Sequence, residues 1–153
     1  MNHWLFKTEP STYSVEDLMR EANQTCTWDG IRNYQARNFI RDQMEVADEI
    51  LLYHSRCTPT AVVGLAKVVR SAYPDPTQFD HTSPYYDAKS PADNPRWLCV
   101  DIQFMNKFIT PVTLEVIKKT NVLNDMVLVK QGRLSIQPVT ATEYKAVVKF
   151  GLG

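Results

Sequence analysis

Residues 28–41 read Trp-Asp-Gly-Ile-Arg-Asn-Tyr-Gln-Ala-Arg-Asn-Phe-Ile-Arg, a segment that combines a large aromatic ring, hydrogen-bonding groups and spaced cations. Asp29-Gly30 favours a turn, because glycine tolerates positive φ and aspartate can hydrogen-bond its own neighbouring backbone. Trp28 is therefore expected at a loop corner, before a helix that begins near Tyr34. One face of this helix should pack on the core, and the other should meet solvent or a ligand.

The predicted helix has a clear apolar face. At 100° per residue, four side chains share that face: Ala36, Phe39, Ile40 and Met44. Three further side chains share a flank: Tyr34, Arg37 and Arg41. Two explanations fit this segment. It is a helix start with a half-buried tryptophan beside it, or it is part of a ligand site.

Length and charge bound the function. The chain has 153 residues, 44% of them hydrophobic, which suits a single domain over residues 1–153 with a core that needs no disulfides. The 17 basic and 17 acidic residues cancel, so a long-range field that attracts nucleic acid or membrane surfaces is not expected. Binding to nucleic acid must therefore use a local patch or pocket.

The cysteines and the amino terminus indicate a cellular compartment. Cys26, Cys57 and Cys99 are widely spaced, odd in number and without a metal-binding pattern, which favours a reducing environment. No segment reaches transmembrane length, and the amino terminus lacks a signal-peptide pattern. We predict a soluble, cytoplasmic protein with no membrane partner.

Apolar patterning predicts about five strands with short helices between them. The predicted strands are His3–Lys7, Ile50–Tyr53, Ala61–Val69, Trp97–Phe104 and an edge strand within Gly132–Val139. The predicted helices are Val15–Ala22 behind a Ser14 capping box, Thr113–Lys119, and a last helix before Gly151 behind a Thr140 capping box. Met126–Val129 is ambiguous between helix and strand. The fold class is α+β, with a mixed sheet or small barrel flanked by helices.

Two strand features are more specific. Gly64 inside an apolar run predicts a bulge or the close approach of another backbone. A hairpin around Thr58-Pro59-Thr60 should join the second and third predicted strands. The strand Trp97–Phe104 alternates most regularly, so it should lie at or near the centre of the sheet and pair antiparallel.

The longest irregular segment is 71–96, with five prolines and four large aromatic side chains. A solvated linker has little use for such rings, so we expect an ordered loop folded over the domain. Asp75, Asp80 and Asp87 lack calcium-loop spacing, and their neighbouring prolines favour Asx turns.

Catalytic and metal-binding patterns are missing from the sequence. Ser55 is not in a G-x-S-x-G elbow, and the adjacent His54 should point to the opposite face of a strand. The glycines form no phosphate-binding loop, and the histidines have no metal spacing. We predict no catalytic residue, no cofactor and no metal.

Aromatic and hydrogen-bonding side chains remain at the ends of predicted elements. They suit a planar heterocycle, because a ring stacks on a base for about 1–3 kcal/mol and fixed polar groups read its edge. Each also has a structural explanation as a cap, a turn residue or a buried polar group. These candidates are Trp28, Tyr34, Tyr85, Tyr86, Lys7, Glu9, Asp29, Asn33, Gln35, Ser55, Arg133 and Gln137.

Several strings, in order along nearly the whole chain, resemble the EVE domain family, which lies in the PUA-like superfamily with the YTH readers of methylated adenine. The matching strings are Trp4–Pro10, Trp28–Asn38, Tyr53–Ser55, Tyr73–Asp75, Tyr85–Asp87, Pro95–Trp97 and Gly132–Val139. The last of these adds Ser135 to the candidate base-binding residues. The resemblance implies a PUA-like mixed β-barrel of about five to six strands flanked by short helices. It also implies binding of a modified base, with modified cytosine in nucleic acid as the ligand class.

The YTH comparison also implies roles for individual residues. The tryptophan on which a YTH domain stacks its base corresponds to Trp28. The YTH Lys-Ser-Asn becomes Lys7-Thr8-Glu9, and a carboxylate in place of an amide suits an edge that bears an amine. A second YTH tryptophan has no counterpart, and Tyr85 or Tyr86 is predicted in its place.

The sequence-based hypothesis is a non-enzymatic reader of modified cytosine in DNA or RNA, in a bacterial protein that starts almost at its first strand. A flipped or single-stranded base should bind better than a base in intact duplex. Trp28→Ala should abolish base discrimination and change stability by only about 1–2 kcal/mol, as for a site residue outside the core. The predicted phosphate contacts are Arg32, Arg37, Arg41, Arg56 and Arg96.

Two alternatives remain open. The protein could be an enzyme acting on a free modified nucleoside or nucleotide, with turnover that depends on Glu9, Asp29 or Ser55. It could also be an interaction module in a defence or RNA-processing complex, in which case it would co-purify with a protein partner.

Overall fold

The apolar segments assemble into one six-stranded sheet with five helices packed against it, in a computed structural model that describes all 153 residues. The strands are β1 (His3–Thr8), β2 (Thr25–Trp28), β3 (Glu49–His54), β4 (Ala61–Pro74), β5 (Leu98–Thr113) and β6 (Ile136–Val139). The helices are α1 (Val15–Arg20), α2 (Tyr34–Asp42), α3 (Leu114–Lys119), α4 (Val127–Lys130) and α5 (Ala141–Leu152). Short 3₁₀ turns cover Ala22–Gln24 and Pro76–Phe79.

The strand order is β2-β5-β4-β3-β1-β6. Strands β1 and β3 pair in parallel, and every other neighbouring pair is antiparallel. The α+β class and the mixed sheet are therefore confirmed. The closed barrel is wrong, because the four-residue strands β2 and β6 lie at opposite edges and do not pair.

Alternation along the strands gives the sheet two apolar faces. In β1, Trp4 and Phe6 join the cluster beneath α1 and α2, whereas Leu5 joins the cluster beneath α3, α4 and α5. The predicted face of α2 packs as expected, with Ala36 and Ile40 fully buried. The helices thus cover both faces and leave the strand ends to carry polar groups.

The long strands pair antiparallel as predicted, but they are longer, and β5 lies next to an edge strand instead of at or near the centre of the sheet. β5 lies second in the sheet, antiparallel to β2 and β4, and it extends nine residues beyond the predicted end at Phe104. β4 continues to Pro74, into the segment predicted as loop. A Cβ on Gly64 would lie 2.8 Å from the backbone oxygen of Asn106, and the β4–β5 register shifts at this point. The predicted bulge and close backbone approach are both confirmed.

Most local signals at the helix ends also hold, but α5 continues through Gly151 to Leu152 and does not end before that glycine as predicted. Ser14 and Thr140 form the two predicted capping boxes. Thr113 caps α3, and the ambiguous apolar run becomes the helical turn α4. Helix α1 ends at Arg20, two residues before its predicted end. None of the helices combines the length and apolar character needed to cross a membrane.

The long loop is ordered by its own polar groups, as predicted. Asp75, Asp80 and Asp87 each accept a hydrogen bond from the backbone N–H two residues later, at 2.8–2.9 Å. Gln78 is fully buried and donates to the backbone oxygens of Asp75 and Trp97, at 2.7 and 2.8 Å. These bonds hold the segment against the start of β5.

His54 links β3 to the start of α1. Its Nε2 accepts the backbone N–H of Val15 at 3.1 Å, which requires a neutral imidazole. Burial lowers the pKa of His54 below its ordinary value of 6.5; the negative charge of Glu16 opposes this shift and the positive charge of Lys107 adds to it. Protonation therefore opposes the packing of α1.

The pH dependence of stability follows from this sign. Above about pH 6.5 the contribution of His54 is complete, and it declines as the pH falls toward the lower folded pKa, because the unfolded chain binds the proton first. His54→Gln keeps an acceptor for Val15 but does not titrate. Urea unfolding at roughly pH 7.5 and 5.5 should show a smaller loss of stability in the variant. Equal losses in both proteins would contradict this role.

Candidate functional site

A pocket of about 820 Å³ opens at the carboxyl end of β1. Its walls come from segments far apart in sequence: the end of β1, the loop before α1, strand β2 with the following turn, and single residues from two later loops. The lining residues are Lys7, Thr8, Glu9, Thr12, Tyr13, Glu21, Thr25, Cys26, Thr27, Trp28, Asp29, Gly30, Ile31, Tyr85 and Ser135.

The open sheet creates this space. Strand β2, at one edge, contributes Thr25–Trp28 to the wall. At the other edge, Ser135 immediately precedes β6, and Lys7 lies at the end of the adjacent strand β1. Pairing between these edges would close a barrel. Because they do not pair, their residues face a shared cavity.

Trp28 lies deeper than the sequence suggests. It is the last residue of β2 and pairs with Val100, so its side chain joins the core and not a loop corner. The centre of its ring lies 5.4 Å from the ring centre of Phe6. It also lies 6.0 Å from the ring centre of Tyr13, in an edge-on arrangement. Only 9% of the residue is exposed, so a half-buried tryptophan is also wrong. The part that remains accessible borders the pocket.

The turn after Trp28 depends on glycine for two reasons. Gly30 has φ of +78°, the positive φ that the Asp29-Gly30 pattern predicts, although no backbone hydrogen bond closes a turn here. A Cβ at this position would also lie 2.7 Å from the ring of Tyr85. Tyr85 is 37% exposed, so its ring covers the turn and still presents surface to solvent.

The pocket carries more negative than positive groups: Glu9, Glu21 and Asp29 against Lys7. Partial desolvation raises the pKa of Asp29, the negative charge of Asp75 adds to the shift, and a hydrogen bond to its own backbone and the charge of Arg32 partly offset it. Burial lowers the pKa of Lys7, whose ammonium donates to the backbone oxygen of Gly132. Such a pocket attracts amine-bearing or cationic edges and repels phosphate.

Cys26 is the one thiol in the pocket wall. Burial raises its pKa to about 11; the neighbouring Tyr13 hydroxyl opposes this shift, and nearby carboxylates add to it. The hydroxyl of Tyr13 donates to Glu21 at 3.2 Å. Burial is the main reason why the pKa of Tyr13 is raised. The thiol is therefore protonated at neutral pH and is a poor nucleophile.

Comparison with known proteins identifies the family. The sequence model of the EVE domain family matches residues 2–150. The chain belongs to the EVE domain family. This confirms the resemblance found in the sequence motifs.

Relatives of this EVE domain include human thymocyte nuclear protein 1, which is 43% identical over 166 residues that cover 97% of this chain and 73% of the human protein. Among solved structures, human THYN1 in complex with 5-methylcytosine-containing DNA matches with a TM-score of 0.94 and 40% identity, covering 99% of this chain and 98% of that one. A Pseudomonas syringae protein matches with a TM-score of 0.91 and 42% identity, covering 98% and 99% of the two chains.

The structure of the EVE domain brings part of the predicted base-binding set together. The candidates that line the pocket are Lys7, Thr8, Glu9, Trp28, Asp29, Tyr85 and Ser135. The remaining candidates lie elsewhere. Asn33 caps α2 by accepting the N–H of Ala36 at 2.9 Å. The ring of Tyr34 packs against that of Trp97, with the ring centres 4.8 Å apart and the planes tilted by 33°, and the next residue, Gln35, is exposed.

The other candidates outside the pocket also have local environments that explain them. Ser55 follows β3, and Arg133 is exposed in the loop before β6. Tyr86 stacks on His81 at 4.4 Å, away from Tyr85's position on the pocket wall. Gln137 is buried, and its amide donates to two backbone oxygens of the preceding loop.

Two of the predicted phosphate contacts are exposed ion-pair residues. Arg56 has 84% of its side chain exposed and contacts the pocket residue Glu9 at 3.0 Å. Arg41 is half exposed and contacts Asp42 at 2.7 Å on α2. Arg56 is thus an exposed cation next to the pocket.

The other three arginines are tied to protein groups. Arg37 donates to the backbone oxygen of Arg96 at 3.0 Å and lies 4.9 Å from the ring centre of Tyr34. Arg96 itself lies 3.8 Å from Asp87. All five N–H groups of Arg32 have acceptors within the protein.

Several pocket residues were outside the predicted set: Thr12, Tyr13, Glu21, Thr25, Cys26, Thr27, Gly30 and Ile31. The sequence did contain a signal for the strand at four neighbouring positions, because the residues of Thr25-Cys26-Thr27-Trp28 are typical of a short β-strand. Recognition of that strand would have placed Cys26 and Trp28 on one face. The remaining residues have no local signal for pocket lining.

Proposed function

We propose that this EVE domain is a non-enzymatic reader that binds a modified base, with modified cytosine as its preferred ligand, in DNA or RNA. The observation that carries the proposal is the pocket between the unpaired sheet edges, with aromatic and carboxylate groups in its wall. The complex of the relative human THYN1 with 5-methylcytosine-containing DNA supports the same ligand class.

The pocket is large enough to admit a base. Its volume of about 820 Å³ lies within the roughly 300–1,000 Å³ typical of small-molecule sites. Tyr85 supplies the most accessible aromatic surface in the wall, and a stacked base gains about 1–3 kcal/mol from such contacts. Trp28 and Tyr13 border the same space. A base must leave the duplex to enter it, which favours single-stranded or mismatched sites.

The charges of the pocket suit the edge of cytosine. Cytosine presents an exocyclic amine, which a carboxylate accepts, and O2 and N3, which accept from an ammonium or hydroxyl. Asp29 and Glu9 provide carboxylates, and Lys7 provides an ammonium. The phosphates remain outside, where Arg56 is an exposed cation beside Glu9.

A reader fits the wall better than an enzyme acting on a free nucleotide. The only thiol in the wall is protonated, and Ser55 does not line the pocket. Turnover would need an activated nucleophile or a bound water activated by a base. Glu9 and Asp29 do line the pocket, so the enzymatic alternative is tested by searching for product from a panel of free modified nucleotides.

Asp29→Ala should weaken binding to a modified-cytosine oligonucleotide by about ten- to a hundredfold, because a hydrogen bond to a charged group contributes about 1.5–3 kcal/mol. Asp29 is exposed enough that the fold should remain intact. The measurement is fluorescence anisotropy at one salt concentration. The matched single strands carry cytosine, 5-methylcytosine, 5-hydroxymethylcytosine or N6-methyladenine.

Asp93→Ala is the matched control, because Asp93 is exposed and lies outside the pocket. Its affinity for each oligonucleotide should equal that of the wild-type protein. Binding that ignores the base, or equal weakening by both variants, would argue against base reading. Equal affinity for single strands and intact duplex would argue against capture of a flipped base.

A further inference from the structure

Arg32 lies between the turn after β2 and the long loop, with only 22% of its side chain exposed. Its Nη1 donates to the backbone oxygen of Ile31 at 2.9 Å and to Asp75 at 3.0 Å. Its Nη2 donates to Thr77 at 3.1 Å and to the backbone oxygen of Tyr85 at 2.7 Å. Nε also donates to the Tyr85 oxygen, at 3.0 Å. No N–H remains for a phosphate.

Asp75 keeps the guanidinium in place. Its carboxylate is fully buried and accepts from Arg32, from the backbone N–H of Gly30 at 2.9 Å, and from Thr77. Burial alone would raise the pKa of Asp75, but these hydrogen bonds outweigh it and lower the pKa. The ion pair is therefore charged at neutral pH and joins the turn to the long loop.

Tyr85 contacts both Arg32 and Gly30. Two N–H groups of Arg32 donate to the backbone oxygen of Tyr85. The guanidinium carbon of Arg32 lies 5.7 Å from the centre of the Tyr85 ring. The ring packs directly on Gly30, where a Cβ would overlap it. Arg32 thus contacts both the backbone and the ring of Tyr85, and Gly30 provides the surface on which the ring packs.

We propose that Arg32 is a positioning residue, which holds Tyr85 as a wall of the base pocket and does not contact phosphate. The inference deepens the proposed function and rests on it for the effect on ligand binding. Lysine cannot replace this residue, because one ammonium cannot reproduce a planar fork of five donors. It does keep a positive charge beside Asp75, so the fold should persist.

A double-mutant cycle separates positioning from phosphate contact. Tyr85→Ala removes the ring but keeps the carbonyl that Arg32 binds, whereas Arg32→Lys keeps the ring but loses the fork. In the unmodified background, Arg32→Lys should weaken binding to a 5-methylcytosine single strand about tenfold; in the Tyr85→Ala background the loss should be under about twofold.

A second measurement needs no ligand. Hydrogen exchange of the backbone amides around Tyr85 should be at least about tenfold faster in Arg32→Lys, while exchange in the sheet stays unchanged. Arg20→Lys is the matched control, because Arg20 is an exposed arginine of α1 outside the pocket. Thermal melting reports whether each variant is folded.

The outcomes are distinguishable. Equal tenfold losses in both backgrounds would show that Arg32 acts on binding independently of Tyr85, as a phosphate contact would, and would overturn the proposal. Unchanged exchange around Tyr85 would overturn it as well. If the unmodified protein ignores the base but Arg32→Lys still speeds exchange around Tyr85, the positioning role stands and the proposed function fails.

Discussion

Trp28→Ala should lower the free energy of unfolding by about 3–5 kcal/mol, the range measured when a buried aromatic side chain is truncated in a core. Trp28 is 9% exposed and packs between Phe6 and Tyr13 in the cluster beneath α1 and α2. This replaces the effect of about 1–2 kcal/mol expected for an exposed site residue. Urea unfolding followed by circular dichroism measures it.

Tyr85→Ala is the natural control for this truncation. Tyr85 also lines the pocket, but it is 37% exposed, so its removal should cost less than about 1 kcal/mol. A loss below about 1.5 kcal/mol for Trp28→Ala would contradict its role in the core. Binding data for Trp28→Ala must therefore be corrected for unfolding, and Trp28→Phe is the better probe of the pocket.

Asp48→Ala should lower the free energy of unfolding by about 2–6 kcal/mol, because it leaves one buried donor, the indole N–H of Trp4, unpaired at about 1–3 kcal/mol and removes two part-buried hydrogen bonds of about 0.5–1.5 kcal/mol each. The carboxylate of Asp48 is 1% exposed and accepts the backbone N–H groups of Asn2 and Glu45 and the indole N–H of Trp4, at 2.9–3.0 Å. It joins the start of β1 to the turn before β3. The same urea unfolding experiment applies.

Two further variants interpret the result for Asp48. Asp48→Asn keeps the shape and one acceptor oxygen, so its cost should be smaller than that of Asp48→Ala. Asp125→Ala is a matched surface truncation, since the side chain of Asp125 is 83% exposed, and it should change stability by less than about 0.5 kcal/mol. Equal stability of Asp48→Ala and Asp125→Ala would show that the three hydrogen bonds contribute nothing net.

The sequence alone determined the features that depend on neighbouring residues. Capping boxes at Ser14 and Thr140 have a fixed three-residue spacing, so the pattern predicts the bond directly. The buried face of α2 and the alternation in β5 follow from helix and strand periodicity. Gly64 also indicated the close approach of another backbone, since only glycine leaves room for one.

Part of the candidate site was also within reach of the sequence. The motifs identified the family, and they supplied Lys7, Glu9, Asp29 and Tyr85, which the structure brings to one pocket. The tertiary structure decided which candidates stay outside. Asn33 is used as a helix cap, because the first N–H groups of α2 need an acceptor regardless of any ligand.

Only the tertiary structure decided where the sheet stops and what lines the space that remains. Closure depends on the pairing of β2 with β6, two short strands more than a hundred residues apart, and local periodicity carries no information about that register. The same holds for Arg32, whose sequence context suggested a phosphate contact. Its acceptors on Asp75, Thr77 and Tyr85 come from a distant loop, and only folding brings them within hydrogen-bond distance.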